Sequence, residues 1–234
     1  MRSLGVTPDR MTVVPYGVAD EPERSGYTPA AELRSRLQER HGDTAVVLCV
    51  VGTIGARKNQ RLLVDALPLI ESSNPVVCVF IGDGPAEELK HQAATLGVSH
   101  RVVCLGYRTD ARELATAADW MVLPSQSEGQ PLSILEAYCD GVPVVASDIP
   151  ELRELVNAGS TGLLFPAGSA TALAGVIGRA IALDPVARRR LVRRARARYD
   201  ATFSLKHMVD GYMRIYRHVW QGIASERTES WKAS

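Results

Sequence analysis

From residue 45 onward the chain alternates between two patterns. Unbroken apolar runs at 45–51, 76–81, 102–105, 120–123, 142–146 and 162–165 are rich in Val, Ile and Leu. Between them, at 59–71, 86–96, 110–117, 131–140, 151–157 and 170–183, apolar residues recur every three or four positions. A strand buried on both sides has no polar alternation, and helices lying between such strands supply the cover. The pattern therefore predicts an α/β fold: a doubly wound, Rossmann-like parallel sheet. Upstream, 29–41 is an amphipathic helix stopped by Gly42, Val13 and Val14 lead into a turn at Pro15-Tyr16-Gly17-Val18, and 20–28 reads as an acidic surface connector. Downstream, 186–201 and 205–222 read as two terminal helices, closing one domain over 1–222 and leaving 223–234 as a polar, disordered tail.

Composition narrows the partners. With 46% apolar residues the chain can bury a core, and a formal net charge of +1 gives no general attraction to nucleic acid. The four cysteines (49, 78, 104 and 139) lie in apolar runs at irregular spacing and read as reduced, buried thiols of a cytoplasmic protein. The five histidines form no pair at metal-ligand spacing and no Asp-x-Asp occurs, so neither a metal nor a cofactor is expected. No signal peptide is visible and no apolar run could cross a bilayer, so any membrane contact would be peripheral.

The stretch 125–147 carries the most chemistry. A strand ends at Pro124, a polar Gly-containing turn follows, and a helix can start at Pro131, with Glu128 in the turn and Glu136 inside the apolar helix. The mouth of a helix that follows a parallel strand is where α/β proteins hold anions. A second reading stays open: Ser125 with Glu128, or Ser133 with Glu136, has the spacing of a helix capping box. The first strand runs into Gly52-Thr53-Ile54-Gly55-Ala56-Arg57-Lys58-Asn59, a glycine turn with two cations at a helix mouth. It lacks the glycine and hydroxyl of a phosphate-binding lysine loop, which leaves either a metal-free anion clamp or plain solvated charge. Gly82-Asp83-Gly84-Pro85 has Glu87 where a dinucleotide fingerprint needs glycine, so it reads as a tight turn. Gly106-Tyr107-Arg108 could meet a base edge or be an ordinary loop. Residues 188–198 hold seven arginines around Leu191, Ala195 and Tyr199, an amphipathic helix whose basic face is solvated or meets anionic lipid. Nucleic acid is disfavoured there because no aromatics interleave the arginines.

Taken in order, these stretches resemble the donor-binding half of retaining, GT-B, group 1 glycosyltransferases of the family 4 type. The resemblance covers about residues 3–222 and rests on Gly52 with Arg57-Lys58-Asn59, the turn from Gly82 to Pro85, Leu105-Gly106, Ala118-Asp119 before Pro124-Ser125, and Glu128 and Glu136 separated by seven residues. It implies a nucleotide-diphosphate sugar, UDP- or GDP-linked, as donor. Lys58, helped by Arg57, would neutralise the leaving diphosphate, and Glu128 would face the donor sugar. Glu136 would accept from the ribose hydroxyls, and the Gly129, Gln130, Pro131 and Leu132 backbone would meet phosphate or sugar hydroxyls. Gly52 and Thr53 would border the phosphates, and Gly106, Tyr107 and Arg108 the base. Thr53 stands where many relatives place an arginine, which makes Arg57 the candidate second cation. The resemblance also implies an acceptor-binding amino-terminal domain that these residues do not supply. A glycan or lipid-linked acceptor, as in polysaccharide biosynthesis, would then come from a missing half or a partner chain, against which 205–222 would pack, and the isolated chain would be inactive. A non-catalytic sugar-nucleotide-binding subunit and a GT-B epimerase are the alternative readings.

Overall fold

A computed structural model of the chain describes Thr7, residues 11–20 and residues 29–232, with side chains as far as Gln221. Most of the connector read at 20–28 lies outside the described residues. The elements run α1 (Pro29–His41), β1 (Val46–Val51), α2 (Gln60–Ala66), β2 (Val76–Ile81), α3 (Ala86–Thr95), β3 (Val102–Gly106), α4 (Ala111–Ala115) and β4 (Trp120–Leu123). There follow α5 (Leu132–Asp140), β5 (Val144–Ser147), α6 (Pro150–Arg153), β6 (Leu163–Phe165), α7 (Ala170–Ile181), α8 (Pro185–Arg198), a π turn (Tyr199–Phe203) and α9 (Leu205–Lys232). The six strands form one parallel sheet in the order β3-β2-β1-β4-β5-β6.

The apolar runs are unbroken because each strand feeds two cores. Val47 and Cys49 of β1, Val77 and Val79 of β2 and Met121 and Leu123 of β4 face the layer that holds Leu135 and Tyr138 of α5 and Ala195 of α8. Their neighbours Leu48, Val50, Cys78, Phe80, Trp120 and Val122 face Leu63 of α2, Leu89 of α3 and Leu173 of α7. Cys49 and Cys78 are buried free thiols, and burial pushes Cys49 up to about 12. Asp119 joins the sheet to α1: one carboxylate oxygen accepts from the Val47 N–H at 2.9 Å and from Arg34 at 2.7 Å.

Several helix boundaries differ from the periodicity reading, four of them as follows. Helix α2 stops at Ala66 and tightens into a 3-10 turn at Leu67–Leu69, because Pro68 has no N–H to continue it. Pro131 is the residue before α5, with an extended ψ of 115°, and not its first helical residue. Helix α6 is one turn long, since the chain bends at Asn157, whose N–H donates to the Thr161 hydroxyl. Helix α9 continues to Lys232, over most of the stretch read as a tail; Ala224, Glu226, Arg227, Glu229 and Lys232 are helix-favouring residues.

Candidate functional site at the sheet switch point

The chain leaves β1 toward β2 on one side and returns to β4 on the other, so β1 and β4 are neighbours whose connections diverge. That divergence opens a crevice above their carboxyl ends, the general ligand position of doubly wound sheets. Helices α2 and α5 lie on opposite faces of the sheet. The loops feeding them, 52–59 and 124–131, nevertheless meet over this crevice.

They meet through charge. Lys58 Nζ is 2.8 Å from one oxygen of Glu128 and Arg57 Nη1 is 2.7 Å from the other. The Ser125 hydroxyl donates to the Lys58-bound oxygen at 2.7 Å, and the Gln126 N–H donates to the Arg57 carbonyl at 2.8 Å. The Glu128 side chain is 4% exposed, that of Lys58 13% and that of Arg57 57%. A carboxylate so covered stays charged only if paired. Burial raises its pKa, but hydrogen bonds from Lys58, Ser125 and Arg57 and the charge of Lys58 outweigh burial and hold it below its ordinary value.

A carboxyl lowered by folding stabilises the native state above its unfolded pKa, near 4.5, and loses that contribution as pH falls through the lower folded value. Melting temperatures of the unaltered chain and of Glu128→Gln, measured from about pH 6 to about pH 3, are therefore expected to converge as the pH drops. A constant gap between the two curves would show that the ion pairs add nothing to stability.

The lysine loop is shaped by residues without an obvious role in the sequence. Gln60 is 1% exposed; its amide nitrogen donates to the Gly52 and Thr53 carbonyls at 3.3 and 3.0 Å, and its oxygen accepts from the Gly55 N–H at 3.1 Å. One side chain thus fixes both ends of the turn. Asn59 adopts the left-handed conformation at φ 51°, which turns the chain so that Lys58 lies back over Gly52. A Cβ on Gly52 would stand 3.1 Å from Lys58 Cε. Gln60 carries no local signal and looks like an ordinary polar residue until its burial and partners are known; Ser125 is marked in the sequence only by its capping-box spacing to Glu128.

Other expected residues are placed less centrally. Neither capping box forms: Ser125 bonds Glu128 side chain to side chain, several residues before α5, and Ser133 lies inside α5 with its buried hydroxyl unpartnered. Gln130 faces elsewhere, exchanging two hydrogen bonds with the Tyr16 backbone at 2.9 and 3.1 Å and so tying the segment before α1 to the crevice rim. Gly129 and Leu132 are exposed and Pro131 is buried. Glu136 is half-buried one turn into α5, about 6 Å below its mouth. Gly106 ends β3 at φ 68° and accepts the Gly82 N–H through its carbonyl at 2.9 Å. Tyr107 is 74% exposed, and Arg108 forks onto Asp110 at 2.7 and 2.8 Å. This group stands two strands, roughly 10 Å, from β1. Thr53 is exposed. Among the described residues no three His, Cys, Asp or Glu side chains gather closely enough to hold a metal ion.

A family model described as "Glycosyl transferases group 1" matches residues 45–182, more than half of the chain. The chain belongs to the group 1 glycosyl transferases. Among curated members it is 32% identical to a D-inositol 3-phosphate glycosyltransferase of Acidothermus cellulolyticus, over 96% of this chain and 51% of that protein. It is 31% identical to the Escherichia coli UDP-Gal:alpha-D-GlcNAc-diphosphoundecaprenol alpha-1,3-galactosyltransferase, over 70% of this chain and 43% of that one. The chain thus spans about half the length of the curated relatives it matches. Among solved structures, Anabaena HepE in complex with UDP and glucose superposes with a TM-score of 0.77 at 25% identity, covering 94% of this chain and 59% of that one. A Rickettsia africae glycosyltransferase reaches 0.81 at 21% identity, covering 92% and 59%, a likeness of fold alone. The sheet and its flanking helices are the Rossmann-like fold found in GT-B glycosyltransferases.

Proposed function

We propose that this chain is the donor-binding half of a metal-independent, retaining glycosyltransferase that takes a UDP- or GDP-sugar. The observation that carries the reading is the convergence of Arg57, Lys58 and Glu128, from loops after two different strands, over the switch-point crevice. Lys58 and Arg57 supply positive charge where a leaving diphosphate develops negative charge, the main lever available without a metal. Before the donor arrives, Glu128 keeps both cations at the crevice. Once phosphate oxygens share them, its carboxylate is free to face the donor sugar. The backbone amides opening α5 add donors for phosphate or sugar hydroxyls, and Glu136 accepts from the ribose. Gly106, Tyr107 and Arg108 border the base. The similarity to proteins crystallised with UDP supports the nucleotide class.

The acceptor, a glycan or a lipid-linked saccharide, is proposed to come from an amino-terminal half or a partner chain. Helix α9 supports this reading. Val209, Tyr212, Met213, Tyr216 and Trp220 are 42% to 73% exposed and fall within one arc of about 100° on the helix. Such a stripe suits a second domain.

Isothermal titration of the chain with UDP and with GDP tests the donor reading. Binding of one nucleotide is expected, weakened about tenfold in Glu136→Ala by loss of a charge-assisted hydrogen bond. A folded chain that binds neither nucleotide would overturn it. The isolated chain is expected to bind without transferring, and transfer by these 234 residues alone would remove the need for a second half.

A further inference from the structure

The seven arginines of the α8 run have two different fates. Arg188 donates to the Asp119 carbonyl at 2.8 Å and lies over the Trp120 ring, Arg196 pairs with Asp20 and Asp200, and Arg198 donates to the Glu154 carbonyl at 2.6 Å. These three hold α8 to the body of the protein. Arg189, Arg190, Arg193 and Arg194 are exposed and make no hydrogen bond or ion pair with any described residue. At 3.6 residues per turn they share one arc of about 140°, directly opposite buried Leu191 and Ala195.

Such an arrangement costs folding energy. Arg189 with Arg193, and Arg190 with Arg194, are like-charge pairs four residues apart, which destabilise a helix. Helix α8 contains no acidic residue. The nearby carboxylate, Asp184, caps the helix by accepting from the Val186 and Ala187 N–H groups at 2.8 and 2.9 Å. With the whole chain at +1, the cluster is a local concentration of charge and not a by-product of composition.

Two features identify the partner. Val186, 57% exposed, lies at the centre of the arginine arc, and exposed Ala197 continues the line. Beside them runs a groove of about 1080 Å³ with Leu183, Pro185, Val186 and Val192 along it and arginines at its rim. Cations around an apolar strip match phosphate head groups above their glycerol and acyl carbons. A nucleic acid would instead call for aromatic stacking surfaces, which this face lacks. We propose that the outward face of α8 docks on an anionic lipid surface. The proposal rests on α8 alone and is independent of the donor reading. The groove lies at the carboxyl end of α5, lined there by Cys139, Asp140 and Gly141, whereas the crevice lies at the amino end of α5, so docking leaves the crevice uncovered.

Flotation of the full chain with vesicles tests it, comparing pure phosphatidylcholine with equal parts of phosphatidylcholine and phosphatidylglycerol. Binding is expected only to the mixed vesicles and should fade as salt rises, a reading that needs no substitution. Each Arg→Gln change on this face should lower partitioning about fivefold, and the pairs R189Q/R193Q and R190Q/R194Q about 25-fold each. UDP titration by these variants should match that of the parent. Four results would overturn the proposal: equal binding to neutral vesicles, undiminished binding by folded pair variants, displacement by inorganic phosphate beyond that of sodium chloride at equal ionic strength, or tighter binding to random-sequence RNA than to vesicles. No vesicle binding at low salt would identify a merely solvated face and end it equally.

Discussion

Replacing Lys58 with alanine is expected to weaken UDP binding by about tenfold to a hundredfold, the worth of one charge-assisted contact to a phosphate. It should also lower stability, because Glu128 is 4% exposed and would keep, among the described residues, only Arg57 and Ser125 as side-chain partners. A buried carboxylate that loses a cation costs roughly 1–3 kcal/mol, less than a full orphaning because Arg57 remains. The two effects separate in a double-mutant cycle with Glu128→Gln. Removing the carboxylate as well should restore most of the stability and none of the UDP affinity. Calorimetric titration and urea unfolding of the four proteins are the measurements. If Lys58→Ala loses stability but binds UDP as the parent does, Lys58 is a structural counter-ion and the diphosphate role fails.

The doubly wound sheet was legible in the sequence because strands buried on both faces leave a signal that few other structures share. Each of the six apolar runs became a strand, two of them with both ends as read and the others with ends shifted by no more than two residues. Helix ends were less legible where a single local event decides them, as with Pro68 closing α2 and Pro131 preceding α5. At the crevice, Arg57, Lys58 and Glu128 could be picked out because charged side chains beside glycine turns are conspicuous. Their mutual pairing could not, since Lys58 and Glu128 are 70 positions apart and only the β1–β4 adjacency joins them. Gln60 was illegible for the opposite reason: a polar side chain announces its burial only through the tertiary structure, and Ser125 was paired with Glu128 by spacing but as a helix cap, not as the side-chain bond it makes. The arginine run shows the same limit. Periodicity located its buried side correctly at Leu191, Ala195 and Tyr199, yet nothing in the run itself separates the three tethered arginines from the four outward ones.

The glycine turn after β2 illustrates a residue type read correctly and a role that only packing reveals. It is the floor on which the lysine loop rests. The Ile54 N–H donates to the Asp83 carbonyl at 2.7 Å, and a Cβ on Gly82 would stand 2.2 Å from the Gly52 oxygen and 3.1 Å from the Thr53 nitrogen. Those are backbone atoms of a turn whose Gly52 and Thr53 carbonyls Gln60 already holds, and they cannot swing aside as a flexible side chain could. Gly82→Ala is therefore expected to push the whole 52–55 turn, and Lys58 with it, out of the crevice. Overpacking of this kind costs about 1–3 kcal/mol of stability. UDP affinity should fall by roughly tenfold or more, since a displaced cation no longer reaches the phosphate. Gly55 is the control, because a Cβ there meets nothing within 4 Å and its φ is not in the left-handed range. Gly55→Ala should leave urea stability within about 0.5 kcal/mol of the parent. A Gly82→Ala protein as stable as Gly55→Ala would mean that the loop is not seated on the turn. Unchanged UDP affinity in a destabilised Gly82→Ala would mean instead that the seat matters to the fold but not to where Lys58 is delivered.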